Sequence, residues 1–79
     1  MTDIAAVVTD VFTEVIGEPP GKGGATTPAD VDGWDSLTHV YLVHSVESRL
    51  GVTLDATVLV DCDRLDRIIE AARSARGMG

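Results

Sequence analysis

The sequence is poor in cysteine, in aromatic residues, in basic residues and in long apolar runs. Its single cysteine, Cys62, excludes a disulfide within the chain. With only Phe12, Trp34 and Tyr41 as aromatic residues, the core has to be built mainly from Val, Leu, Ile and Ala, which suits packed helices. We find neither a charged leader followed by an apolar stretch nor an apolar run long enough to cross a bilayer, so we expect a cytoplasmic protein that does not bind membranes.

The chain is short and acidic. Its 79 residues suffice for one small domain, predicted to span residues 1–79 and to be a monomer. It carries 6 basic and 13 acidic residues, a formal net charge of −7. Nucleic-acid binding needs a basic stripe, so this acidic charge balance argues against nucleic-acid binding and favours partner proteins that present basic patches. Residues 28–63 hold seven of the acids and a single base, so the acidity is concentrated in the middle of the chain.

The first half of the sequence predicts one helix followed by a long loop. Apolar residues recur at helical spacing from Ile4 to Ile16, with Thr2 or Asp3 as the N-cap and Gly17 as the stop. Residues 17–35 are rich in proline and glycine and show no apolar period, which predicts a loop without regular structure. Loops of this length inside compact domains are usually either functional or poorly ordered.

A second helix is predicted from Ser36 to about Leu50, and its apolar residues fall on two opposite sides. The first group contains Leu42, Val43, Val46 and Leu50, with His39 among them, and the second contains Leu37, Val40 and Tyr41, with His44 beside them. A domain this small has one core, so we expect the second group to form an exposed docking patch. The alternative is that the loop 17–35 folds over this second group and buries it.

The remainder predicts a short helix and a longer one. Asp55 is expected to cap a turn through Leu59, although the β-branched Thr57 and Val58 favour a strand by propensity; a lone strand would have no partner here. Asp61 is expected to cap a final helix that ends in a frayed tail at residues 77–79. The predicted fold is therefore all-α, a four-helix bundle with a long first loop and a short third helix.

The most informative segment reads GWDSLTHVYLV over residues 33–43 and VESRLGV over residues 46–52. Asp35 is a preferred N-cap type, so Ser36 would be the first, solvent-facing residue of its helix. The unpaired N–H groups and the dipole at this end of a helix favour an attached anionic group.

This segment resembles the attachment segment of acyl carrier proteins, and the length of the chain is similar to that of the family's four-helix domain. The resemblance implies that Ser36, flanked by Asp35 and Leu37, receives a 4'-phosphopantetheine arm from coenzyme A. A separate phosphopantetheinyl transferase would load the arm, and acyl-loading and acyl-processing enzymes with basic docking patches would use it. A carrier of this kind has no catalytic activity of its own. The partner-binding surface would comprise Leu37, Val40, Tyr41, His44 and Glu47 with the acids Asp32, Asp55 and Asp61.

Three other functions are consistent with parts of the pattern. An esterase is disfavoured, because the α/β scaffold that its nucleophile needs is missing and neither histidine is placed to reach Ser36. An unmodified acidic helical interaction module remains possible on composition alone. An aminoacyl or peptidyl carrier is the third, but those domains more often have a glycine-rich, histidine-containing segment before the serine, so we favour acyl cargo. With one cysteine and two histidines on different faces, no metal site is predicted.

The sequence departs from carriers of primary fatty acid synthesis at three positions of the second helix. Those carriers often have acids where this chain has Thr38, Tyr41 and Ser48, while Glu47 keeps the acidic pattern. Loss of these acids would weaken recognition by basic partner enzymes. We therefore expect a dedicated carrier of polyketide-like specialised metabolism, such as antibiotic biosynthesis.

Overall fold

The computed structural model describes residues 3–60 and 64–78, and within them it contains four α-helices and no β-strand. The helices are α1 (Ile4–Ile16), α2 (Ser36–Leu50), α3 (Thr57–Val60) and α4 (Leu65–Met78). This confirms the predicted all-α fold, including the long first loop and the short third helix. The ends of α1 and α2 lie where the sequence predicts them, and α4 continues through residues that were predicted to be frayed.

Helix α1 begins and ends at local signals. The Asp3 carboxylate accepts a hydrogen bond from the Ala6 N–H at 3.3 Å, so Asp3 is the N-cap. At the other end Gly17 adopts a left-handed conformation with φ of +96°, and its N–H donates to the Thr13 carbonyl at 2.9 Å. The helix buries Val8, Val11 and Phe12 against the other helices.

The sequence predicted a loop without regular structure between α1 and α2, but this loop does contain short regular turns. It contains two short 3₁₀ turns at Gly23–Ala25 and Pro28–Asp30, the second with Thr27 and Asp30 forming a reciprocal capping box. The Leu65 N–H donates to the Thr26 carbonyl at 2.9 Å, which ties the segment to the start of α4. Two apolar side chains, Val31 and Trp34, lead from it into the core.

The core is formed by one side each of α1, α2 and α4, together with side chains from α3 and the connecting segments. Its buried apolar members are Val8, Val11, Phe12, Val31, Trp34, Leu42, Val43, Val46, Leu50, Leu54, Val58, Leu65, Ile68, Ile69 and Ala72. The predicted inward group of α2 is thus confirmed. Because Val31 and Trp34 pack on this side, the connecting segment leaves the opposite side of α2 uncovered.

Two hydrogen bonds fix the end of α2 against its surroundings. Gly51 adopts a left-handed conformation with φ of +67°, and its N–H donates to the Glu47 carbonyl at 2.8 Å. The Arg76 guanidinium of α4 donates to the Leu50 carbonyl at 3.2 Å, a group that the helix itself leaves without a partner. The predicted cap Asp61 lies outside the described residues, and α4 begins at Leu65, further along the chain.

Candidate functional site

The candidate site is built on the first turn of α2. The Asp35 carboxylate accepts a hydrogen bond from the Thr38 N–H at 2.9 Å, and the Asp35 carbonyl accepts from the His39 N–H at 2.8 Å. Asp35 is therefore the N-cap, as predicted, and Ser36 is the first helical residue. Ser36 is exposed to solvent, so an enzyme can approach it without any opening of the bundle.

The electrostatics of this helix start favour negative charge. The hydrogen bond from the Thr38 backbone N–H, reinforced by the Thr38 side chain, holds the pKa of the Asp35 carboxyl below its usual value of 3.8. The backbone N–H groups of a first helical turn and the helix dipole both stabilise an anion placed beside them. A phosphodiester on Ser36 would lie in the same environment.

Behind the serine, a buried polar contact joins three segments. The Trp34 indole N–H donates to Nδ1 of His39 at 3.1 Å, and Nε2 of His39 lies 2.7 Å from the Val58 carbonyl oxygen in α3. The Trp34 ring also packs edge-on against Phe12 of α1, with ring centroids 5.3 Å apart. Trp34 therefore anchors the chain where it enters α2. The link from His39 to α3 was not predicted from the sequence.

A groove of about 450 Å³ opens beside Ser36. It lies between the second 3₁₀ turn, the first turns of α2 and helix α3. Its walls are formed by Pro28, Trp34, Asp35, Ser36, His39, Val40 and Leu59. The groove combines apolar side chains with the reactive hydroxyl, so a flexible chain attached to the serine could lie along it.

The second apolar group of α2 is exposed, as predicted. Leu37 is 67% exposed, Tyr41 61% and Val40 38%, and Leu59 of α3 adds a further exposed apolar side chain at 38%. The alternative that the loop 17–35 covers this group is therefore wrong. His44 is exposed on the same helix. Together Leu37, Val40, Tyr41, His44 and Leu59 form what we call the α2–α3 patch.

The predicted acidic residues divide into exposed and internally bonded ones. Asp32 and Asp55 are exposed, and the Thr57 backbone N–H that donates to Asp55 at 3.0 Å lowers the pKa of the Asp55 carboxyl. Asp55 therefore caps α3, as predicted. Asp61 lies outside the described residues.

Glu47 has an internal role that the sequence did not reveal. Its carboxylate accepts a hydrogen bond from the Leu54 N–H at 2.8 Å, and its other oxygen lies 3.1 Å from Nδ1 of His44. Only 20% of its side chain is exposed. Glu47 therefore holds the connection between α2 and α3 in place.

The described residues contain no group of three or more His, Cys, Asp or Glu side chains that could hold a metal ion. No helix in the described part of the chain combines the length and the apolar character that a membrane crossing requires. Within residues 3–60 and 64–78, the exposed first turn of α2 and the groove beside it thus remain the best candidate for a functional site.

Comparison of the chain with known protein families gave one match. The family described as the phosphopantetheine attachment site matches residues 6–72, which is most of the chain. The chain therefore belongs to the phosphopantetheine-attachment family, consistent with membership among the acyl carrier proteins. Its cofactor is a covalently attached 4'-phosphopantetheine. Neither the curated proteins nor the solved structures compared with the chain gave a match.

Family membership supports a role as a phosphopantetheine carrier. Carrier domains are in general non-catalytic, and they work with transferases and with processing enzymes. The described residues fit such a group, because an exposed hydroxyl lies at a helix start that stabilises anions and opens onto a groove.

Proposed function

We propose that the protein is an acyl carrier whose phosphopantetheine arm is attached to Ser36. The observation that carries this proposal is the exposure of Ser36 as the first residue of α2, directly after the N-cap Asp35. Asp35 fixes the geometry of the turn, and Leu37 offers an apolar contact beside the attachment point, since it is 67% exposed. When bound, the arm supplies a terminal thiol that holds acyl groups as thioesters.

Loading requires little from the carrier beyond presentation of the hydroxyl. In the transfer, the Ser36 Oγ forms an ester bond to the pyrophosphate phosphorus that carries the pantetheine of coenzyme A. The P–O bond between this phosphorus and the rest of the pyrophosphate breaks. The serine proton leaves to a base of the transferase, and the nucleotide half of coenzyme A departs as a phosphate. The first-turn N–H groups of α2 stabilise the resulting phosphodiester.

The partner surface is proposed to be the α2–α3 patch with an acidic surround. Leu37, Val40, Tyr41 and His44 would make the central contacts, because an exposed apolar group of this size is typical of an interface. Asp32 and Asp55 would face basic residues of the partner at the rim, and Asp61, which lies outside the described residues, stays a proposed partner contact. Glu47 would contribute indirectly, since one of its carboxylate oxygens accepts from the Leu54 N–H and the other lies 3.1 Å from Nδ1 of His44.

The proposed cargo is an acyl group of polyketide-like specialised metabolism. On the outer side of α2, Thr38, Tyr41 and Ser48 stand where carriers of primary fatty acid synthesis often have acids. Partners of this chain would therefore rely more on apolar contact with Tyr41 than on ion pairs along the helix. The protein would act in the cytoplasm as a monomer, without catalysis of its own.

Intact-mass measurement after incubation with a phosphopantetheinyl transferase, coenzyme A and Mg²⁺ tests the attachment site. The wild type should gain one phosphopantetheine, and Ser36→Ala should gain none while it keeps its helical circular dichroism. Ser48→Ala is the matched control, because Ser48 is also an exposed serine of α2 and should not affect loading. Absence of a mass gain on the wild type, or a gain on Ser36→Ala, would overturn the proposal.

The acyl cargo is tested on protein recovered from the native host. Its intact mass should exceed that of the arm-bearing form by an acyl group. An amino acid or peptide on the arm would identify the chain instead as an aminoacyl or peptidyl carrier. Hydrolysis of an activated ester by the purified protein would contradict the absence of catalysis.

A further inference from the structure

We propose that His39 is a positioning residue, which holds α3 against the start of α2 and so keeps Leu59 in the surface that the phosphopantetheinyl transferase contacts. This inference rests on the proposed attachment at Ser36. It assigns a function to a buried polar side chain that neither the loading chemistry nor the exposed patch uses directly.

The hydrogen bonds of His39 define which nitrogen carries the proton. An indole N–H can only donate, so Nδ1 of His39 must be the acceptor for Trp34. The proton of the neutral ring then lies on Nε2, which donates to the Val58 carbonyl at 2.7 Å. His39 is 8% exposed, and both of its ring nitrogens are engaged. The ring therefore joins Trp34, just before α2, to the backbone of α3.

Helix α3 needs such a tie. It has four residues, far fewer than an isolated helix requires to be stable in water, so its position depends on contacts with the rest of the fold. Val58 supplies two such contacts, because its side chain is buried in the core and its carbonyl accepts from His39. The next residue, Leu59, lies on the outside. A shift of Val58 therefore moves Leu59 as well.

Leu59 of α3 and Val40 of α2 both line the groove beside Ser36, and each of them is 38% exposed. An enzyme that reacts with the Ser36 hydroxyl has to cover the mouth of this groove. It therefore meets apolar side chains from two helices, and it can recognise them together only if α3 keeps its position relative to α2. The exposed carboxylates of Asp32 and Asp55 add an acidic surround, so the fitting partner has an apolar contact area with a basic rim.

Two substitutions separate the two hydrogen bonds of His39. In His39→Asn the side-chain oxygen lies near the place of Nδ1 and can still accept from Trp34, but the donor to Val58 is lost. In His39→Gln the amide nitrogen reaches toward the place of Nε2 and can still donate to Val58, but the acceptor for Trp34 is lost. Trp34 is the single tryptophan of the chain, so its fluorescence should change in His39→Gln and stay close to wild type in His39→Asn.

The test is a double-mutant cycle on kcat/KM for loading by the transferase. In the wild type and in His39→Gln, Leu59→Ala should lower kcat/KM about fivefold, mainly through KM. In His39→Asn, where α3 is no longer held, the same change should cost less than about twofold. Leu37→Ala is the matched control, because Leu37 lies on α2 itself, so its effect should be the same in all three backgrounds.

A full Leu59→Ala effect in His39→Asn would overturn the positioning role. If His39→Asn does not fold, amide hydrogen exchange in His39→Gln decides. The Val58 and Leu59 N–H groups donate to the backbone carbonyls of Asp55 and Ala56, at 3.0 Å each. In His39→Gln both N–H groups should exchange at wild-type rates, and faster exchange would refute the inference. If the wild type is not loaded at all, the attachment proposal has failed instead.

Discussion

Replacement of Glu47 by alanine should destabilise the whole domain. The substitution removes the carboxylate that accepts from the Leu54 N–H at 2.8 Å and leaves that partly buried donor without its partner. Hydrogen bonds to charged groups contribute about 1.5–3 kcal/mol, so the free energy of unfolding should fall by that amount. For a chain of this length the total is roughly 4–12 kcal/mol, and the loss would be a large part of it.

Urea unfolding followed by circular dichroism measures this change. With an m-value of about 1 kcal/mol per molar urea, the midpoint for Glu47→Ala should fall by about 1.5–3 M. Glu47→Gln keeps an acceptor for the Leu54 N–H and should lose less than about 1 kcal/mol. Glu14→Ala is the matched control: Glu14 pairs with Arg49 at 2.7 Å, but its side chain is 64% exposed, and such pairs contribute about 0.2–1 kcal/mol.

A wild-type midpoint for Glu47→Ala would refute the internal role. The carboxylate would then be available to partner enzymes, as the resemblance to acyl carrier proteins implied. A normal midpoint combined with a raised KM for the transferase would identify Glu47 as a direct contact. A lowered midpoint with unchanged KM of the folded fraction would identify it as a structural residue.

Two further predictions concern helix ends. The pKa of Asp35 is lowered in the folded state by the Thr38 N–H, so the stabilisation by this cap is complete above its unfolded pKa of 3.8 and is lost as the pH falls through the folded pKa. Asp35→Asn caps without titrating, so its urea midpoint should fall less steeply with acid than that of the wild type, and equal slopes would contradict the assignment. Gly51→Ala should lower the free energy of unfolding by about 1 kcal/mol because φ at Gly51 is +67°. Gly77→Ala, inside α4, should raise the free energy of unfolding by about 0.5 kcal/mol. Thermal unfolding measures both, and a shift of Tm in the same direction for the two variants would contradict this contrast.

Local signals account for most of the fold that could be predicted from the sequence. Helix α1 lies between its N-cap Asp3 and Gly17, and α2 lies between its N-cap Asp35 and Gly51. These ends are predictable because caps and left-handed glycines act within a few residues of the helix ends. The division of α2 into an inward and an outward side follows from helical periodicity, and the burial of each side confirms it. The exposed position of Ser36 follows from the Asp35 cap and from the helical periodicity of α2.

The two side-chain contacts around the site that the sequence did not reveal join different segments of the chain. The bond from His39 to Val58 spans 19 residues, and the Leu54 N–H lies seven residues beyond Glu47. Periodicity places His39 on the inner side of α2 but cannot name its partners, because those depend on where α3 packs. From the sequence alone Glu47 resembled a docking acid, because the hydrogen bond that it accepts from the Leu54 N–H forms only when the chain turns back after Gly51.

These long-range contacts give the site its particular form. Ser36 is placed locally, by the Asp35 cap on the first turn of α2, whereas the surface around it depends on α3, which His39 and Glu47 hold from opposite ends of α2. A change at either tie could therefore leave the serine chemically intact and still alter how well an enzyme recognises it. Substitutions at Ser36 should therefore abolish loading outright, whereas substitutions at the two ties should leave the hydroxyl reactive and lower the efficiency of loading by weakening the docking of the transferase.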